Sequence, residues 1–284
     1  MSKKSGDAEN FDINWQNTKE ARYLHWCRGK PQNQIQFAFR QHWHTFSKLL
    51  GADKATGSVL EVGCGRGSLS AYFADAGWDC TLLDLSSEAI KLAETAFMKT
   101  GLKASFDVGD CLSLPYPDDS FDVVFSIGLL EHFEDIRQVL AEQYRVLKPS
   151  GTFFGYVVPK LPHNLQQKYS WFNDVLRSII GTQEVVDKVD VFRSDLLSPP
   201  YIREMKNIGY TSIQCSGIYS LPMISHSVDF PFSLLPPDAE KILVDHFTSE
   251  LDAMRATKST DDPWLCDEGV GQAFLLWAKK VPLE

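Results

Sequence analysis

With 284 residues, 44% of them hydrophobic and 23% charged, the chain has the size and composition of a globular protein that buries one large core plus an accessory region. Its formal net charge of −9 argues against nonspecific nucleic-acid binding, which needs a basic face to neutralise phosphates, while leaving room for a local basic groove. Six scattered cysteines (Cys27, Cys64, Cys80, Cys111, Cys215, Cys266) without a C-x-x-C pair, a polar first stretch without an apolar signal region, and no apolar run long enough for a bilayer lead to three expectations. These are reduced thiols, a cytoplasmic location and no membrane partner.

Taken in order, residues 1–10 are polar and expected to be disordered. From 11 to 30 aromatics are frequent (Trp15, Tyr23, Trp26), and a helix is expected there, ended by Pro31. Ile35, Phe39, Trp43, Phe46 and Leu50 recur at spacings of three and four, the mark of an amphipathic helix that stops at Gly51. Trp43 and Phe46 are read as core, His42 and His44 as solvent-facing.

From Ser58 a regular rhythm begins. The apolar run Val59-Leu60-Glu61-Val62 reads as a strand, the turn after it has glycine at alternate positions (63, 65, 67), and Leu69, Tyr72, Phe73 and Ala76 follow at helical spacing up to Gly77. Residues 80–84 form a second strand that ends on Asp84. Ser86 or Ser87 caps the next helix, which Thr100-Gly101 closes. A third strand, 104–108, stops at Gly109-Asp110-Cys111. A fourth, 121–127, runs on into Gly128-Leu129-Leu130-Glu131-His132-Phe133. Ile136, Val139, Leu140, Tyr144 and Leu147 mark a helix, and 152–158 a fifth strand. Strands alternating with helices at this interval imply right-handed crossovers and a parallel sheet. Past Pro159 the rhythm breaks. A helical insertion is expected over 160–198, then a helix at 201–208, a sixth strand around Ile213, a proline-rich excursion over 218–268 and a last strand at 274–278.

The glycine turn decides what such a sheet edge could hold. Glycines without Cβ let a ligand approach the main chain and permit positive φ. The pattern is acidic-x-G-x-G-x-G, not the G-x-G-x-x-G of dinucleotide folds, which disfavours a nicotinamide oxidoreductase. Glu61, two residues before Gly63, opposes a pyrophosphate and suits a cation. With Asp84, Gly109-Asp110-Cys111, 121–133 and Val146-Leu147-Lys148-Pro149-Ser150-Gly151 following in order, the chain resembles the class I S-adenosylmethionine-dependent methyltransferases, in particular the methyltransferase type 11 and ubiquinone-biosynthesis-like group. The resemblance implies an α/β, Rossmann-like, seven-stranded and mostly parallel sheet with helices on both faces. It divides the chain into a tail (1–10), an N-terminal helical cap (11–57) and a methyltransferase domain (58–284) with lid insertions at about 160–198 and 218–268.

The same resemblance assigns roles. Glu61 and the carbonyl edge of Gly63 hold the methionyl ammonium of S-adenosylmethionine, with Cys64 and Gly65 in the same turn. Asp84 takes both ribose hydroxyls, Asp110 accepts from the adenine amine, the Cys111 N–H meets a ring nitrogen, and Leu85 and Leu112 sandwich the base. Ser126 lies near the methionyl moiety and the acceptor. Methyl transfer is an in-line displacement, so alignment of the acceptor matters most, and a base is needed only for a protonated acceptor.

His132 and His163 are the candidate bases, each weighed against an ordinary loop histidine, and His226 is a weaker one. Some quinone O-methyltransferases pair Glu-His with a further acid and a divalent cation. Gly128 stands at that further position here, so no metal is expected. Aromatics outside the sheet (Trp15, Tyr23, Trp26, Tyr169, Trp171, Phe172, Tyr219) fit a lid over an apolar or aromatic small molecule methylated on O, N or C. Two alternatives stand beside this: a protein or RNA methyltransferase, and a non-catalytic cofactor-binding partner subunit. Nothing in the sequence speaks to oligomeric state.

Overall fold

A computed structural model describes residues 10–15, 24–51, 56–180, 191–222, 235–257 and 262–282 of the chain. Its spine is one sheet of eight strands in the order β3-β2-β1-β4-β5-β8-β6-β7. The first five are β1 (Ser58–Val62), β2 (Asp79–Asp84), β3 (Ser105–Val108), β4 (Phe121–Ile127) and β5 (Leu147–Val157), all parallel. The others are β6 (Thr211–Ile218), β7 (Leu265–Cys266) and β8 (Ala273–Lys279), with β8 antiparallel to both β5 and β6. Seven strands were expected; the eighth is the two-residue β7, an edge pairing on β6 too short to leave a sequence signal.

The strands read as apolar runs because both sheet faces are covered. Along β4 and β5 alternate side chains part company: Phe125 and Phe154 join one core cluster, Val124 and Phe153 the other. The first cluster lies under α2 (Gln34–Leu50), α3 (Ser70–Asp75), α4 (Ser87–Thr100) and α9 (Pro237–Thr257). The second lies under α5 (Arg137–Val146) and α8 (Ser198–Ile208). α6 (Leu165–Lys168) and α7 (Ser170–Ile180) belong to the insertion after β5.

Local chemistry explains the helix ends. The Asn33 side chain accepts from the Gln36 N–H to start α2, and Ser86 accepts from the Ala89 N–H to start α4. α4 stops at Gly101 in the left-handed region.

Two expectations are corrected. Among the described residues of the stretch 11–30, α1 (residues 10–15) is helical and residues 24–33 are irregular; residues 16–23, with Tyr23, lie outside the described residues, as do His226 and residues 1–9. His42 faces the interior at 4% exposure, because α2 is packed against the sheet on one side and α9 on another; His44 is exposed as expected. The excursion over 218–268 contains the 21-residue helix α9. Pro237 occupies its first helical position, where a missing N–H costs nothing.

Candidate active site

The strand order reverses between β1 and β4, and a cavity of about 420 Å³ opens at the carboxyl ends of these strands. Its cofactor-like end is built by the glycine turn. Gly63, Gly65 and Gly67 have φ of 69°, 52° and 66°. The Gly63 and Cys64 N–H groups donate to the Leu83 carbonyl at 2.8 and 3.0 Å, which pins the turn to β2. At Gly67 a Cβ would lie 2.3 Å from the Leu82 side chain, so glycine there lets α3 sit on the sheet. At Gly65 a Cβ would lie 2.9 Å from the Trp15 ring, so α1 comes down directly on the cradle.

The acidic side chains differ in what they already hold. Glu61 is 2% exposed, and its Oε2 accepts from the Ser70 hydroxyl at 2.5 Å and the Ser70 N–H at 3.3 Å. It thus ties β1 to the start of α3, and burial pushes its carboxyl up to about 8. Asp84, at the end of β2, accepts from the Gly65 N–H at 2.8 Å through Oδ2 and from the Ser86 N–H at 2.9 Å through Oδ1. Burial raises its pKa against these bonds. Asp110 accepts from the Leu112 N–H at 2.8 Å. The Ser86 hydroxyl donates to Asp12 of α1, a latch beside Asp84.

Of the residues singled out from sequence, Glu61, Gly63, Cys64, Gly65, Asp84, Leu85, Asp110, Cys111, Leu112 and His132 all border this cavity. Ser126 does not. It is fully buried beneath the cavity, with a hydroxyl that has no hydrogen-bond partner. His132 donates from Nδ1 to the Phe192 carbonyl at 2.6 Å and packs edge-on against Phe11 of α1. His163 is exposed on the turn before α6 and does not border the cavity. Of the lid aromatics, Trp15 and Tyr219 reach the cavity, Trp26 is core, and Tyr169 and Trp171 are exposed elsewhere.

The other end of the cavity was read from sequence only in part, through Tyr219 among the lid aromatics. It is lined by Phe39, His42, Glu131, Tyr156, Tyr219 and Gln272. His42 sits 4.8 Å from Tyr156, 5.7 Å from Tyr219 and 5.5 Å from Phe39, ring centre to ring centre, in each case edge to face. One signal was present: His42 falls on the same helical stripe as Ile35, Phe39 and Phe46. Glu131 is 1% exposed, and its Oε2 has no hydrogen-bond partner. Burial pushes this carboxyl up to about 8, with Arg193 nearby working the other way. Among the described residues no group of three or more His, Cys, Asp or Glu side chains could hold a metal ion.

A reversal point carrying a glycine cradle, with carboxylates at the ends of successive strands, is the arrangement of Rossmann-like nucleotide-binding folds. Residues 60–155 match the family described as "Methyltransferase domain", and that part of the chain is a methyltransferase domain. Ajmaline N-methyltransferase of Rauvolfia serpentina is 38% identical over 103 residues, 35% of this chain and 35% of that protein. The uncharacterized methyltransferase YcgJ of Bacillus subtilis is 27% identical over 206 residues, 72% of this chain and 76% of that one. The matched stretch spans about a third of the length of the Rauvolfia relative. In three dimensions the YcgJ crystal structure superposes with a TM-score of 0.52 at 23% identity, covering 84% of this chain and 98% of that one. The [4+2]-cyclase SpnF does so with 0.56 at 16% identity, covering 97% and 95%.

Proposed function

We propose that this chain binds S-adenosylmethionine at the glycine-turn end of the cavity and transfers its methyl group to a small molecule seated at the aromatic end. The observation that carries the reading is Asp84. Its carboxylate is positioned by two backbone N–H groups at the mouth of a turn with glycine at alternate positions. Such a carboxylate suits a pair of ribose hydroxyls, since charge-assisted hydrogen bonds are short and strong. Asp110, with Leu85 and Leu112 on the same wall, suits the base. Glu61 is occupied with Ser70, and burial favours its protonated form, so the methionyl ammonium rests on turn carbonyls. When bound, the cofactor supplies an activated methyl on a sulfonium.

The protein contributes alignment and exclusion of water. Phe11 and Trp15 of α1 cover the cavity, and the ring wall of Phe39, Tyr156 and Tyr219 seats an apolar or aromatic acceptor. The Rauvolfia relative is named for N-methylation of ajmaline, in keeping with a small acceptor. Calorimetry with S-adenosylmethionine and S-adenosylhomocysteine tests the first half, and label transfer from methyl-tritiated cofactor to a small-molecule panel tests the second. No affinity for either compound overturns the proposal. Binding without transfer overturns methylation alone, and that arm is needed because the fold also carries a protein described as a [4+2]-cyclase.

A further inference from the structure

Four carboxyl groups border the cavity, and all four meet protein donors: Glu61 with Ser70, Asp84 with Gly65 and Ser86, Asp110 with Leu112, and Glu131 with the backbone N–H groups of its own residue and Val158. The fourth, Glu131, is 1% exposed, and its Oε2 is the buried carboxyl oxygen without a hydrogen-bond partner among the described residues. Leaving a buried polar atom unsatisfied is costly, and such groups cluster where a ligand completes them. The residue opposite the carboxyl is Gly128, where an added Cβ would stand 3.5 Å from Glu131 Oε1.

What surrounds that oxygen narrows its partner. Phe39, His42, Tyr156 and Tyr219 line the same end of the cavity. The Trp264 indole N–H occupies His42 Nδ1 at 3.0 Å, and burial holds His42 neutral, with a pKa of about 3. The floor therefore carries no charge to repel a cation, and aromatic faces attract one. Arg193, the cation on this side of the cavity, is bound to neither oxygen by a salt bridge among those described.

We propose that the methyl acceptor carries a basic amine, seated among Phe39, His42, Tyr156 and Tyr219, with Glu131 as its counter-charge and proton acceptor. This rests on the cofactor reading above. As the cation docks, its charge lowers the Glu131 pKa and the carboxyl releases its own proton to solvent; the carboxylate so formed then takes one proton from the ammonium. The freed nitrogen lone pair then forms the N–C bond while the C–S bond breaks, its electron pair staying on sulfur. The methylated nitrogen takes over the positive charge that sulfur gives up.

The test uses the full chain saturated with S-adenosylhomocysteine, and compares calorimetric binding of benzyltrimethylammonium with its uncharged isostere neopentylbenzene. Wild type is expected to prefer the cation at least tenfold. E131Q is expected to lose that preference while its S-adenosylhomocysteine affinity stays within twofold. No preference in wild type, including no binding of either probe, overturns the proposal, as does a preference that survives in E131Q. A loss in E131Q of S-adenosylmethionine affinity relative to S-adenosylhomocysteine also overturns it, by making Glu131 a sulfonium partner instead. Label transfer supplies a second arm. Turnover of aromatic amines but not phenols, reduced at least tenfold in E131Q, supports the proposal; turnover of phenols alone, or of no amine, sinks it. Failure of wild type to bind S-adenosylhomocysteine is a separate result that removes the cofactor reading itself.

Discussion

The indole N–H of Trp264 donates to Nδ1 of His42 at 3.0 Å, across 222 positions of sequence. Indole nitrogen is a donor only, so this bond fixes the His42 tautomer with its proton on Nε2. Trp264 is fully buried and lies just before β7; its ring is tilted against that of Tyr219, 4.5 Å between ring centres. Replacing Trp264 with Phe keeps most of the apolar volume but orphans a buried acceptor, which costs about 1–3 kcal/mol. Urea unfolding of W264F is expected to show that loss. A change within 0.5 kcal/mol, measured with an unaltered m-value, would mean the bond carries no weight.

Asp84→Ala removes the carboxylate that faces the cavity beside Gly65. Losing charge-assisted bonds worth about 1.5–3 kcal/mol should weaken S-adenosylhomocysteine binding at least tenfold. Calorimetric affinity equal to wild type would remove Asp84 from the ribose.

The glycines of the turn should separate into two kinds. Gly67→Ala places a Cβ 2.3 Å from Leu82 at a φ of 66°, where the buried neighbours have little room to give. A left-handed alanine alone costs roughly 1–2 kcal/mol, and the clash adds to it, so a thermal melt should fall sharply. Gly65→Ala meets the Trp15 ring at 2.9 Å, and its first effect is expected on α1. Limited proteolysis at the N-terminal segment should quicken in G65A more than in G67A at equal fractions folded. Equal cleavage rates would contradict the placement of α1 on the cradle.

Stability should fall with pH above neutrality. Glu61 and Glu131 are pushed up to about 8, above the ordinary carboxyl range, so the folded state keeps protons that the unfolded chain gives up. Their stabilising contribution is complete below the unfolded carboxyl pKa and is lost as pH rises through 8. His42, held neutral, adds slope only in acid, below about 6.5. Between pH 6.5 and 8.5 the melting temperature of wild type should therefore drop, and that of E131Q should drop less. Parallel curves for the two proteins would show that Glu131 does not take up its proton on folding.

His132→Ala should leave cofactor affinity intact. Its Nδ1 bond to the Phe192 carbonyl holds the segment after α7, and its ring contacts Phe11, both features of the cover over the cavity. One partly exposed hydrogen bond is worth about 0.5–1.5 kcal/mol. A small fall in melting temperature with unchanged S-adenosylhomocysteine binding is the expected pair of results; loss of binding by a folded variant would contradict it.

How far the chain could be read without its fold follows the reach of each interaction. The strand–turn–helix around Gly63 to Gly67, Asp84 at the end of β2 and Asp110 after β3 were legible because each depends on neighbours within a few residues: periodicity, a turn, a cap. β7 and α9 were not, the first because two paired residues leave no period and the second because its prolines carry opposite meanings at a helix start and inside one. The aromatic end of the cavity lay furthest from view. His42 on α2, Glu131 after β4, Tyr156 on β5 and Tyr219 after β6 come from four elements, and no local pattern reports that they share a wall. Local composition determined the nucleotide-like cradle; only packing decided that a buried histidine and an unsatisfied carboxyl face the space beyond it, because burial and partnership are properties of the assembled sheet.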